Sequence, residues 1–412
     1  MNVKALRGDR RLATLFAIVL VDLLGFGMLI PLTPFYVKRL GASPELITFV
    51  VALYSLAQFF AGPWIGRLSD TYGRRRVLIA SLGGHVLSYV ILAFADSIAM
   101  MALSRIIGGI AAANLATAFA YVSDITPPQE RAKNLGIVSS AISIGFVFGP
   151  SLGGFLAGSA VSIEANLARP ALAAALFSAL AMAATFLFLP ESLPPEKRTA
   201  PGRERPPFWR AILEVASLPG LRLLFVLSLI GTIALGMRDA VLPLFAAARF
   251  ELTMVELGLL ITYAGIVSTL MQAFGMGPLS KRFGEAALVR AGLVLLGIAF
   301  TILSVAPHWS FIALAMSFGA CGMPLFNTCL QSLVSRQASP QERGIVMGAY
   351  QSMGSLGRFV GPVIAGAAYG QIALNAPFVG GVAMVLAAFF FAAKVVQPNE
   401  AGPRPAGPPA RG

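Results

Sequence analysis

The sequence predicts an all-α membrane protein of twelve transmembrane helices, arranged as two pseudo-symmetric six-helix bundles. Three observations predict it. Of 412 residues, 57% are hydrophobic and 12% charged, with a mean hydropathy of +0.78, which leaves too little polar side-chain surface for a water-soluble chain of this size. Apolar runs of roughly 20 residues, long enough to cross the hydrocarbon core as helix, recur twelve times between charge and Pro/Gly clusters. The second half of the chain also repeats the first in register. Disorder is excluded because it combines high charge with low hydropathy, the reverse of this composition.

In chain order the runs cover 12–36, 46–66, 77–95, 98–122, 133–158, 168–189, 221–248, 254–277, 286–306, 309–334, 343–369 and 376–396. Met1 to Arg11 resembles the basic start of a signal peptide, but the apolar run after it is too long and lacks a small-residue cleavage site, so it is expected to stay as the first helix. With the N-terminus in the cytoplasm, the only basic loop residues on the far side are Lys38, Arg39, Arg169 and Arg249. Basic residues gather in cytoplasmic loops, so this bias sets the orientation, and an even number of crossings puts both termini in the cytoplasm. The net charge of +13 then reports topology rather than nucleic-acid binding.

Residues 190–220 carry Pro194, Pro195, Pro201, Pro206 and Pro207 among mixed charges and read as a cytoplasmic linker between a first bundle, 1–189, and a second, 221–396. Within it Trp209, Ile212, Leu213 and Ala216 recur at helical spacing and suggest a short helix on the membrane surface. The Pro/Gly-rich tail, 397–412, reads as disordered. Cys321 and Cys329 lie about 12 Å apart along one helix, too far for a disulfide.

The repeat is specific. Pro128-Gln129-Glu130-Arg131 matches Pro340-Gln341-Glu342-Arg343, and the same offset aligns Gly136 with Gly348, Ser140 with Ser352, Gly145 with Gly357, Gly149-Pro150 with Gly361-Pro362, and Gly154 with Gly366. Pro31-Leu32 aligns with Pro243-Leu244 in that frame. Two parallel copies of one unit imply a substrate path between them near the middle of the membrane, opened to each side by rocking.

Between the second and third runs stands Gly66-Arg67-Leu68-Ser69-Asp70-Thr71-Tyr72-Gly73-Arg74-Arg75-Arg76. It resembles the signature loop of the major facilitator superfamily, G-x-L-x-D-x-x-G-R-[KR]-x, at every defined position. The second-half copy, Gly277 to Glu285, has Lys281 where Asp70 would fall, so a latch built from this loop is expected on one side only. Leu103 to Gly109 resembles the family's Arg motif of the fourth helix. Gly145-x-x-x-Gly149-Pro150-x-x-Gly153-Gly154 resembles the fifth-helix motif of its antiporters; its small residues allow close helix approach and its proline allows bending. Asp22 with Gly25, Gly27 and Pro31 resembles the start of the twelve-helix drug/proton antiporters, among which the tetracycline-type and multidrug exporters are most similar. The tetracycline exporters carry an acid in the ninth helix, whereas Arg290 to Ala306 contains none.

The resemblance implies the major facilitator fold and a conformational latch of Gly66, Asp70, Gly73, Arg74 and Asp124. In it Asp70 would contact the start of the eleventh helix near Arg343 to Gly348, and the loop's arginine would pair with Asp124. It also implies an antiporter that uses the proton gradient in place of a cofactor.

An ionisable group in hydrocarbon costs at least about 2.5 kcal/mol and is a functional candidate for that reason. Asp22 lies about ten residues into the first run, roughly 15 Å deep. Arg105, Arg238, Asp239 and Arg358 also fall within runs. Asp22 is the expected proton carrier, with Arg105 modulating it and Asp239 the second candidate. Expected cavity residues are Tyr54, Gln58, Asn114, Arg238, Gln272, Asn327, Gln331, Gln351 and Arg358, because polar groups in hydrocarbon seek one another or water. His85 reads as a satisfied packing residue.

No phosphate-cradling G-x-x-x-x-G-K-[ST] run, His/Cys metal cluster or nucleophile elbow occurs, so the chain reads as no enzyme, with no metal and no cofactor. The expected function is proton-coupled export of amphipathic small molecules by a monomer in a bacterial inner membrane. Its alternatives are uptake or transport of a lysolipid, siderophore or anionic amphiphile, and, in another class, a receptor or scaffold.

Overall fold

The computed structural model describes residues 10–127, 129–158, 166–198, 219–338 and 343–393. The surface helix expected around Trp209, Ile212, Leu213 and Ala216, most of the linker, the tail and the Pro340-Gln341-Glu342 part of the repeat lie outside them. Among the described residues there is no strand.

The first group of helices comprises α1 (Arg10–Leu29), α2 (Thr33–Arg39), α3 (Pro44–Tyr72), α4 (Arg74–Ala93), α5 (Ile98–Ala111), α6 (Asn114–Ile125), α7 (Arg131–Ala157) and α8 (Ala168–Phe188). The second comprises α9 (Pro219–Phe250), α10 (Met254–Leu270), α11 (Met276–Phe283), α12 (Glu285–Val305), α13 (Ser310–Gln337), α14 (Arg343–Gln371) and α15 (Ala376–Ala392). Local chemistry sets several starts. Ser43 accepts from the Leu46 N–H ahead of Pro44, Ser97 accepts from Met100, and Thr253 forms a capping box with Glu256.

Two predicted runs are interrupted. The run 12–36 breaks between α1 and α2 at Pro31, which has no N–H to continue the helix. The run 98–122 breaks at Ala112–Ala113, and the Ala112 carbonyl there accepts from Gln58 Nε2 at 3.4 Å. A π turn, Met271–Gly275, joins α10 to α11.

Among the described residues ten helices, counting α5 with α6 and α10 with α11 as one each, are long and apolar enough to cross a membrane. The eleventh and twelfth predicted runs fall outside that count. α14 is long but carries Arg358 among many Gly and Ser, and α15 is apolar but has 17 residues.

The packing repeats as the sequence does. In the first group α1 packs on α7 and α8, α4 on α8 and α5, and α3 on α5; in the second α9 packs on α14 and α15, α12 on α15 and α13, and α10 on α13. The groups meet mainly through two pairs, α7 with α10 and α3 with α14, which the repeat exchanges, with smaller contacts of α9 on α2 and α3.

Both contacts close at one end. Along α7 and α10, Gly154 meets Met254, the Pro150 carbonyl meets Gly258, and Val147 meets Gly265, with Thr262 Oγ1 donating to the Val147 carbonyl at 2.7 Å. Along α3 and α14, Glu45 meets Gly370 and Thr48 meets Gly366. Toward the end that carries Arg67 and Arg74 to Arg76, a Cβ added to Gly62, Gly66, Gly136, Gly277 or Gly348 would meet nothing within 4 Å. Trp64 there is 69% exposed and Phe274 73%. The groups are therefore joined at the far end and splayed at this basic end.

At Gly149 an added Cβ would lie 2.7 Å from the Gly27 Cα. Gly149→Val is expected to cost about 1–3 kcal/mol by overpacking, whereas Gly136→Ala, in open space, should be neutral within about 1 kcal/mol. Thermal unfolding of the two variants in detergent checks the difference.

Candidate functional site

Between the groups lies a cavity of about 420 Å³. Its polar lining comes from Asp22, Thr33, Tyr54, Ser55, Gln58, His85, Arg105 and Asn114 of the first group and Asp239 and Arg358 of the second. Phe26, Leu29 and Phe146 supply apolar wall, and Phe26 stacks on Tyr54 at 5.1 Å. Such a mixture of apolar wall and a few convergent polar groups suits an amphipathic ligand.

Asp22 is 2% exposed and held from two helices. His85 Nδ1 on α4 lies 3.0 and 3.1 Å from its two carboxylate oxygens, and Ser178 Oγ on α8 donates to Oδ1 at 2.7 Å. The sequence reading of His85 as a satisfied packing residue is corrected: the ring bonds Asp22 through Nδ1, while the buried Nε2 has no partner. The missed signal was a histidine placed eleven residues into its helix, at a depth similar to that of Asp22.

Arg105 is 4% exposed. Its Nη1 and Nη2 reach Thr33 Oγ1 at 3.5 Å and Ser104 Oγ at 3.3 Å, its guanidinium lies 6.0 Å from the Tyr54 ring centroid, and its Nε has no partner. Arg358 Nη2 donates to Ser355 Oγ at 2.9 Å. Among the described residues neither arginine has a carboxylate within 4.0 Å, because Asp22 is turned to His85 and Asp239 to Arg238 at 2.7 Å.

Five expected cavity residues do not line it: Arg238, Gln272, Asn327, Gln331 and Gln351. Arg238 is drawn to Asp239; Gln272 lies exposed in the π turn, and Gln331 and Gln351 are also on exposed faces. Helical spacing places a polar residue at a depth without specifying which neighbour its side faces.

At the basic end Arg74 joins several elements. Its Nη1 reaches Asp70 at 2.7 Å and Ser69 at 2.8 Å, its Nε reaches Asp124 at 3.2 Å, and its backbone N–H donates to Glu191 at 2.8 Å. Ser192 Oγ donates to Asp124 as well. Glu191 and Ser192 were not among the expected latch residues, since they follow α8 and lie far from Arg74 in sequence. The implied contact of Asp70 with the start of the eleventh run abuts residues 339–342, outside the described residues.

On α7, Gly145, Gly149 and Gly153 face α1, where Cβ atoms would meet Leu23, Gly27 and Met28, while Gly154 and the Pro150 carbonyl face α10. One helix thus contacts both the helix that carries Asp22 and the second group.

The chain matches the family model for the Major Facilitator Superfamily over residues 15–275 and 224–412. It is 32% identical over 397 residues to a tetracycline resistance protein, class C, of Escherichia coli, covering 94% of this chain and 96% of that one. It is 29% identical to multidrug resistance protein 2 of Bacillus subtilis (strain 168), with 90% and 93% covered. Among solved structures it resembles a human organic anion transporter at TM-score 0.69 and 26% identity, covering 93% of this chain and 99% of that one.

The Arg74 and Asp124 side chains are 11% and 23% exposed. A double-mutant cycle of Arg74→Ala with Asp124→Ala, read by thermal unfolding, should give a coupling of about 1 kcal/mol that falls as salt is raised.

Proposed function

The chain belongs to the major facilitator superfamily, and from that membership we propose that it is a proton-coupled antiporter that exports amphipathic small molecules across the cytoplasmic membrane by alternating access. Twelve spans, α14 and α15 completing the ten, form two bundles over 1–189 and 221–396, with the basic end and both termini in the cytoplasm. In that orientation the splayed end faces the cytoplasm, where an exporter loads cargo. Its likeness to tetracycline and multidrug resistance proteins supports this direction.

The observation that carries the reading is the placement of Asp22: a fully buried carboxylate on the wall of the cavity shared by both bundles, on a helix locked through glycines to α7, which also bears the contact with the second bundle. A change of charge at the Asp22 site, on the carboxylate or on the His85 ring bonded to it, and a movement of the bundles therefore act on the same helix. Arg105 lines the same cavity and would modulate that charge, and Asp239, also on its wall, is the second candidate carrier. The Arg74–Asp70–Asp124 cluster at the cytoplasmic end lies within the first bundle and would serve as that bundle's half of the latch when the splayed end closes.

A second reading concerns the cargo. Two cavity arginines, one from each bundle, have no carboxylate within 4.0 Å among the described residues, and cations without a direct partner in a low-dielectric site favour an anion. The likeness to a human organic anion transporter supports an anionic amphiphile.

In everted vesicles holding a respiratory pH gradient, addition of cargo should partly collapse the gradient. Asp22→Asn should lower that response about tenfold or more while leaving cargo binding, measured by thermal shift, in place. An unchanged response in Asp22→Asn removes the proton role of this residue. If the cargo is anionic, Arg358→Gln should weaken binding of cholate and leave that of ethidium unaffected.

A further inference from the structure

Resting on the proton-coupled reading above, we propose that the exchanged proton is carried by a His85–Asp22 unit and enters and leaves at His85 Nε2, while the Asp22 carboxylate stays ionised. The geometry separates the two roles. Both carboxylate oxygens of Asp22 lie within 3.1 Å of Nδ1, and Oδ1 also accepts the Ser178 hydroxyl at 2.7 Å. This is the environment of an acceptor, since an ionised carboxylate only accepts. His85 Nδ1–H is the donor it requires, which fixes the tautomer and leaves the Nε2 lone pair as the basic atom.

Among the described residues nothing hydrogen-bonds to Nε2. It is buried without a partner in a residue 3% exposed that lines the central cavity. A buried polar atom left this way has a cost unless it serves a purpose or meets a water. Proton loading forms an N–H bond at Nε2 from a cavity hydronium and leaves water; release reverses it, with no electron transfer. The Nδ1–H donated to Asp22 is retained throughout.

The electrostatics couple this step to movement. Unloaded, the unit carries one net negative charge; loaded, the imidazolium and carboxylate sum to zero. A neutral pair can be enclosed in apolar surroundings at much lower cost than a lone charge. The other charged or titratable groups around the site are Tyr89, stacked on the ring at 5.7 Å, and Tyr54, Arg105, Asp239 and Arg358 on the cavity wall. Asp22 and Asn114 also border a second void of about 10 Å³, bounded by Leu15 and Leu78 toward the basic end. That is about the space of one water, on the side of Asp22 away from the central cavity.

The chain has two histidines, His85 and His308, and His308 is exposed near the far end, so ring-nitrogen NMR of ¹⁵N-histidine-labelled His308→Asn protein reads His85 alone. The expected result is one Nδ1-protonated tautomer at about pH 9 that becomes doubly protonated as the pH is lowered to about 5, with no protonated Asp22 carboxyl band in the infrared. A ring that stays neutral across that range, together with a protonated carboxyl band that disappears in Asp22→Asn, overturns the proposal and returns the proton to Asp22. In proteoliposomes with ethidium and cholate as probes, His85→Gln should lower gradient-driven transport about tenfold or more and leave gradient-free exchange within about twofold. Undiminished gradient-driven transport in His85→Gln overturns the proposal while antiport stands. Absence of any proton-linked transport in the unsubstituted protein, with either probe, defeats the antiport reading itself and this proposal with it.

Discussion

The close approach of α7 to two helices at once organises this protein. On one face, Gly145, Gly149 and Gly153 let its backbone lie against α1 at separations that a single methyl group would prevent. On the other, Gly154 and Pro150 meet Met254 and Gly258 of the second group. Without a hydrophobic force between helices in lipid, such contacts depend on van der Waals fit, and small residues supply it. The result is a rigid path from the buried Asp22 to the joint between the bundles. The α3–α14 pair provides the equivalent joint on the opposite side, through Gly366 and Gly370.

Within that frame, charges are arranged by who can reach whom. Asp22 is satisfied inside its own group by His85 and Ser178, and Asp239 by its neighbour Arg238. The cavity arginines, Arg105 and Arg358, are left with hydroxyl and aromatic contacts. The cavity wall thus carries one arginine and one carboxylate from each group, and the Asp22–His85 unit is set into the wall of the first. At the basic end, the loop arginine Arg74 ties α3, α4, α6 and the segment after α8 into one body, so the first group moves as a unit.

Much of this was legible in the residues. Asp22, Tyr54, Gln58, Arg105, Asn114, Asp239 and Arg358 were selected as polar groups at membrane depth, and all line one cavity. Gln272, Gln331 and Gln351 satisfied the same criterion and face elsewhere, because depth follows from position along a helix and azimuth does not. His85 was passed over because a lone histidine carries no spacing pattern, and its importance comes from a carboxylate 63 residues away. Glu191 was missed for the same reason, its partner being the backbone N–H of Arg74.

By itself the sequence determined the apolar spans, the internal duplication, the basic end and the small-residue face of α7. Each is a local or periodic property: hydropathy sums along a segment, and repeats and glycine spacing are read in one dimension. Only the tertiary structure decided that Asp22 pairs with His85 rather than with Arg105, that the bundles are closed at one end and splayed at the other, and that two arginines face the cavity unpaired. Those outcomes depend on the rotation and tilt of helices about one another, which van der Waals contact among many side chains selects and no single segment encodes.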